Sequence, residues 1–97
     1  MYTQQDLRNP RELLKDPRNG VALEKAMNPN TLPRKVEELS HSREPVVRLF
    51  AALNPNASMH TLAHNPLGML YREEDEQVLQ AVKSNIFAKT LGRLARR

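Results

Sequence analysis

Leu23-Glu24-Lys25-Ala26-Met27-Asn28-Pro29-Asn30 superimposes on Leu49-Phe50-Ala51-Ala52-Leu53-Asn54-Pro55-Asn56 at an offset of 26 residues. A fainter copy, Val78-Leu79-Gln80-Ala81-Val82-Lys83-Ser84-Asn85, follows at an offset of 29. In each copy an aliphatic residue precedes an alanine by three positions and another apolar residue by four. This is the i, i+3, i+4 spacing of one buried helix face. Asparagine before proline then stops the helix: proline forces its predecessor out of the helical region, and asparagine offers side-chain caps. Four of the seven prolines follow asparagine, at Asn9-Pro10, Asn28-Pro29, Asn54-Pro55 and Asn65-Pro66. Each marks a boundary between short helices.

Between the copies runs a second, shorter helical pattern. Asn9 is suited to cap a helix with Pro10 in its first position and Glu12 three residues after the cap, ahead of Leu13 and Leu14. Thr31 is expected to cap a helix over Leu32 to Leu39 that buries Leu32, Val36 and Leu39. Ala57 to Ala63 and then Pro66 to Tyr71 share that position in the third unit. The acidic run Glu73-Glu74-Asp75-Glu76 suits the first turn of a last helix, where the macrodipole favours anions. The resulting expectation is an all-α protein: a short helical-repeat solenoid of about three units with a C-terminal amphipathic basic helix. One domain spans 1–97, with units at about 9–30, 31–56 and 57–85 and a basic helix end at 83–97. Three unrelated helix ends in a small bundle would give the same fold class.

From Ala26 through Asn28-Pro29-Asn30-Thr31 to Leu39, and from Val46-Val47-Arg48 through Ala51-Ala52 to Asn54-Pro55-Asn56, the chain resembles the leucine-rich repeat variant family. The signature is a Val-Arg pair leading to alanine and then Asn-Pro-Asn-Thr. The resemblance implies a HEAT-like stack of alternating short and longer helices and, by analogy, a binding surface. Family units are shorter and more regular than these, and the iron–sulfur module of one member needs cysteines, which this sequence lacks.

Composition narrows the chemistry. Ninety-seven residues suit a single domain with an economical core. The absence of cysteine rules out disulfides and thiolate metal sites, and points to a reducing compartment. Apolar runs are as short as Leu49–Leu53, too short for a bilayer span, and the opening Met1–Asp6 lacks the pattern of a secretion signal. No membrane partner and a cytoplasmic location are expected. Glycine occurs only at Gly20, Gly68 and Gly92, so no glycine-rich phosphate cradle exists.

Candidate reactive groups do not form a catalytic set. His60 and His64 share one helix face, but Thr61 stands where a zincin motif has its glutamate, and no third ligand is marked. Ser40, Ser42 and Ser58 read as caps or turn residues, because none sits in a glycine-flanked elbow. No catalytic residue, metal site or cofactor is expected.

Charge is more informative. Residues 1–82 carry ten basic and eleven acidic groups, whereas 83–97 carry five basic groups and no acid, giving net charges of −1 and +5. Leu79, Val82, Ile86, Phe87, Leu91 and Leu94 are assigned to one apolar stripe of the last helix, with Lys83, Lys89, Arg93, Arg96 and Arg97 largely outside it. Phe87, Leu91, Leu94 and those five cations are the candidate partner-binding residues. The favoured function is a non-enzymatic protein–protein interaction module acting as an accessory, inhibitor or assembly component. The alternatives are nucleic-acid binding, through Arg34, Lys35, Arg43, Arg48 and the basic tail, and a homo-oligomeric structural protein.

Overall fold

The computed structural model describes residues 20–95, and all regular structure among them is helical. The order is α1 (Gly20–Met27), α2 (Pro33–Leu39), α3 (Pro45–Leu53), α4 (Met59–Ala63), α5 (Met69–Arg72) and α6 (Glu76–Ala95). Prolines start two helices: Pro33 opens α2 and Pro45 opens α3, positions where the missing N–H has no intrahelical partner to lose. The expected helix after Asn9 lies outside the described residues.

One core runs through the molecule. Its central helix is α3, which buries Val46, Val47, Leu49, Ala51 and Ala52 between α1 on one side and α6 on the other. The aliphatic–alanine pairs of the three sequence copies all point into it: Leu23 with Ala26, Leu49 with Ala52, and Val78 with Ala81. The apolar residue after each alanine does not behave uniformly. Val82 is buried and Met27 half-buried, but Leu53 is exposed at the rim of α3.

Asparagine amides join the helix ends. The Asn54 Nδ2 donates to the carbonyls of Ala26 (2.8 Å) and Asn28 (3.0 Å), closing the end of α1. The Asn85 Nδ2 donates to the carbonyls of Ala52 (2.7 Å) and Asn54 (3.1 Å), closing the end of α3. The two acceptor pairs are again 26 residues apart. Beside them the Asn56 Nδ2 donates to the carbonyls of Pro29 (2.7 Å) and Thr31 (2.8 Å). Locally, Asn28 and Asn54 each accept from the backbone N–H two residues on, at 2.9 Å in both turns. These bonds satisfy last-turn carbonyls that a helix cannot pair internally.

Several local expectations need correction. Leu32 is not buried: it is the N-cap of α2 and 72% exposed, because Pro33 fixes the helix start one residue later. Thr31 belongs to the end of α1, where its hydroxyl donates to the Lys25 carbonyl at 2.7 Å. The helix expected from Ala57 begins at Met59, with the Ser58 hydroxyl accepting from the Thr61 N–H. The helix expected from Pro66 begins only at Met69, after a turn over 65–68 that contains the cis Asn65–Pro66 peptide. At Gly68 a Cβ would stand 2.5 Å from the His64 backbone nitrogen, so the turn admits no larger residue without moving main chain.

The acidic run is also divided. Glu73 ends α5, while Asp75 caps α6 by accepting from the Gln77 (2.9 Å) and Val78 (3.2 Å) N–H groups, leaving only Glu76 in the first turn. Glu73 instead receives Arg48 in a two-pronged pair, Nε to Oε2 at 2.9 Å and Nη2 to Oε1 at 3.2 Å. The glutamate side chain is 3% exposed.

Candidate interaction surface

The last helix decides where the surface lies. At 1.5 Å per residue its 20 residues extend about 30 Å, longer than α3, against which it packs. Only its first half is covered by the body. Val78, Ala81 and Val82 are buried and Ile86 is partly so; beyond Ile86 no residue of α6 is buried.

The single stripe expected from sequence is in fact two. At about 100° per residue, Val78, Ala81, Val82 and Ile86 centre on one side of the helix and Phe87, Leu91 and Leu94 on nearly the opposite side, with Leu79 between them. The first set joins the core-facing side, and the second faces away from it, with Phe87 65%, Leu91 49% and Leu94 57% exposed.

Polar groups occupy the body-facing side of the distal half. The Lys89 ammonium donates to the Pro55 carbonyl at 3.1 Å, and Lys89, Gly92 and Arg93 line, with Met59, an open depression of about 480 Å³. Lys83 is exposed one turn before Phe87. Arg96 and Arg97 lie outside the described residues. Past Ile86, Phe87, Leu91 and Leu94 therefore face solvent while Lys89 and Arg93 stand on the body side, the reverse of an ordinary surface helix.

The other candidate cations are scattered. Arg34 and Arg43 are exposed, and Lys35 pairs with Glu38 across one turn of α2 at 3.2 Å. Arg48 is committed internally: besides Glu73, its Nη1 donates to the carbonyls of Ser42 (2.8 Å) and Arg43 (3.2 Å). Arg72, which the sequence reading passed over, is committed likewise. Its guanidinium donates to the carbonyls of Leu67 and Ser40 and to the Ser40 hydroxyl, and burial pulls its pKa below the usual guanidinium value, opposed by the nearby Glu73 carboxylate. Sequence offered no sign of either arrangement, since the partners are 25 and 32 residues away.

His60 and His64 stack with ring centroids 4.3 Å apart, and the His60 Nε2 lies 3.8 Å from the Glu37 Oε1. His60 borders a cleft of about 190 Å³ between α2 and α4, whose walls include Glu37, His41, Thr61 and Arg72. Among the described residues no three histidine, cysteine or carboxylate side chains cluster as metal ligands. The Ser40 hydroxyl donates to the Glu37 carbonyl, and the Ser42 hydroxyl accepts from the Glu44 N–H. No helix among the described residues is long and apolar enough to cross a membrane.

Comparison of the chain with family models, curated proteins and solved structures gave no match.

Proposed function

We propose that the chain is a helical-repeat protein-interaction module, built on the plan of leucine-rich repeat variant units, whose partner docks on the outer side of α6. It acts without catalysis of its own, as an accessory, inhibitor or assembly component. Support for the repeat comes from the amide bonds, in which Asn54 and Asn85 close carbonyl pairs related by the same 26-residue step that relates the sequence copies. The observation that carries the function is the exposed row Phe87, Leu91 and Leu94. An apolar row that faces away from the core adds nothing to folding, whereas burial beneath a partner stabilises a complex.

The magnitude is informative. Full burial of such a side chain is worth roughly 1.5–3 kcal/mol, and these three are about half-exposed, so covering them contributes on the order of 3–4 kcal/mol. Association itself costs at least about 4 kcal/mol in lost freedom. The row is thus an anchor that needs polar neighbours to complete a specific interface.

The test is a photo-crosslinking residue placed at Phe87 in the native host, followed by identification of the adduct with and without nuclease. A discrete protein adduct that survives nuclease and disappears in the Leu91→Ala/Leu94→Ala background is expected. An adduct consisting of nucleic acid would replace this reading with the phosphate-binding one.

A further inference from the structure

On the side of α6 away from the docking row, we infer a second binding site: the depression between α6 and the start of α4 receives a carboxylate side chain carried on an extended acidic segment of a protein. Its walls are Met59, Lys89, Gly92 and Arg93, and no carboxylate among the described residues lines it. Lys89 and Arg93 stand four residues apart on the helix, which sets their Cβ atoms about 5–6 Å from each other. The Lys89 ammonium is held by the Pro55 carbonyl at 3.1 Å, a bond that occupies one of its three N–H groups. The Arg93 guanidinium has no hydrogen-bond or ion-pair partner among the described residues. Two cations on one depression repel, and an anion between them removes that cost. The macrodipole does not account for the pairing, since it favours a cation in the last turn, where Arg93 stands, on any side of the helix.

Gly92 is an independent sign of a ligand. Its φ is not positive, and a Cβ there meets nothing within 4 Å, so neither the backbone nor the packing calls for glycine. In a helix interior only proline is a poorer choice. What glycine supplies is bare helix at the depression, where the backbone of a ligand can approach closely. Size and walls select the carrier. About 480 Å³ is more than one carboxylate fills and admits a short stretch of chain. Met59 offers an apolar wall of adaptable shape to its methylene groups. No aromatic side chain among the described residues lines the depression for a base to stack on. Arg34 and Arg43 stand on and after α2, whereas α6 packs on α3, α4 and α5, so the two cations are not continued as a track for a phosphate backbone.

The probes are an unstructured, end-capped peptide in which glutamates alternate with glycine and leucine, and its twin with glutamine for every glutamate. Each is titrated into the isotope-labelled full chain and followed by NMR, a method suited to weak binding. The glutamate peptide is expected to shift the Met59 methyl and Gly92 amide signals, to bind at least about tenfold more tightly than the glutamine twin, and to weaken as salt is raised. Lys89→Ala/Arg93→Ala abolishes the Met59 shift. Gly92→Leu, which fills the depression with a better helix former, weakens it while circular dichroism shows the helix retained. Phe87→Ala/Leu91→Ala leaves it unchanged, so this site and the outer row stand or fall separately. Equal binding of the two peptides, binding of neither, or shifts that fall on Phe87 and Leu91 instead, overturns the inference. Shifts at Met59 and Gly92 produced by duplex DNA or by anionic phospholipid vesicles, and not by the glutamate peptide, would assign the cations to phosphate and overturn it likewise.

Discussion

Asn54 joins three segments, and replacing it measures how much the amide connections hold the helix ends together. Its side chain is almost wholly enclosed, at 3% exposure. Nδ2 donates to the Ala26 and Asn28 carbonyls, and Oδ1 accepts from the Asn56 N–H. Each such bond contributes a net ~0.5–1.5 kcal/mol, and a buried acceptor left unpaired costs ~1–3 kcal/mol. Asn54→Ala should therefore lose about 2–4 kcal/mol. Asn54→Asp should lose at least as much despite its nearly identical shape, because an ionised carboxylate donates nothing and sets negative oxygen against two carbonyls. Burial among those carbonyls raises the aspartate pKa in the folded state, so the variant's stability is greatest below the unfolded value and falls as pH rises through the folded one. Urea unfolding followed by circular dichroism reads these differences directly; at a slope near 1 kcal/mol per molar, Asn54→Ala moves the midpoint by roughly 2 M or more. Asn85→Ala should cost less, about 1–2 kcal/mol, since one fewer bond is lost and alanine is the better helix former. If Asn54→Asp is as stable as the parent at neutral pH, the amide is not donating and the account of the helix ends fails.

Three further outcomes test the packing by the same unfolding assay. Gly68→Ala should destabilise by several kcal/mol, because its Cβ meets main chain on His64 and Ala63, while Gly92→Ala, with nothing within 4 Å, should stabilise by up to ~1 kcal/mol through helix propensity. Arg48→Lys should fail to replace Arg48, since an ammonium cannot span both Glu73 oxygens and the two carbonyls; a double-mutant cycle with Glu73→Ala is expected to show coupling of about 1–3 kcal/mol. Ala51→Pro, inside buried α3, should cost ~3 kcal/mol or more, whereas Pro29→Ala, in an exposed turn, should cost under ~1 kcal/mol; equal losses would argue against Asn28-Pro29 as a corner.

Helix boundaries were legible where backbone chemistry fixes them. Asn54-Pro55 ends α3 because proline restricts the residue before it, and Ser58 caps α4 because a hydroxyl there reaches the third N–H. Burial was legible for the aliphatic–alanine pairs, which recur on α1, α3 and α6. Features set by long-range partners were not. Glu73 looked like an ordinary first-turn acid until Arg48, far away in sequence, was brought beside it. The asparagines were recognised as local caps, but their amides also reach the neighbouring helix, a role visible only in the repetition of Asn-Pro-Asn at 26 residues. The apolar residues of α6 were recognised as helical but assigned to one stripe, although the 100° step already sets Phe87, Leu91 and Leu94 apart from Val78 and Val82; what periodicity does not record is where the supporting body stops.

The end of the repeated pattern accounts for the exposed row. In α1 and α3 the buried alanine is followed two residues later by asparagine and then proline, so each helix stops at the edge of the body. After Ala81 come Val82 and Lys83, and α6 continues for fourteen residues beyond its alanine. Asn85 supplies from the side of a continuing helix the bonds that Asn54 supplies from a corner. The extension carries α6 past Pro55 and Met59, where a sequence selected only for folding would turn its leucines inward over the open depression. Lys89, Gly92 and Arg93 stand there instead, and Phe87, Leu91 and Leu94 are turned outward. This orientation forgoes burial that was within reach, and the proposed docking on the outer side of α6 is what would recover it.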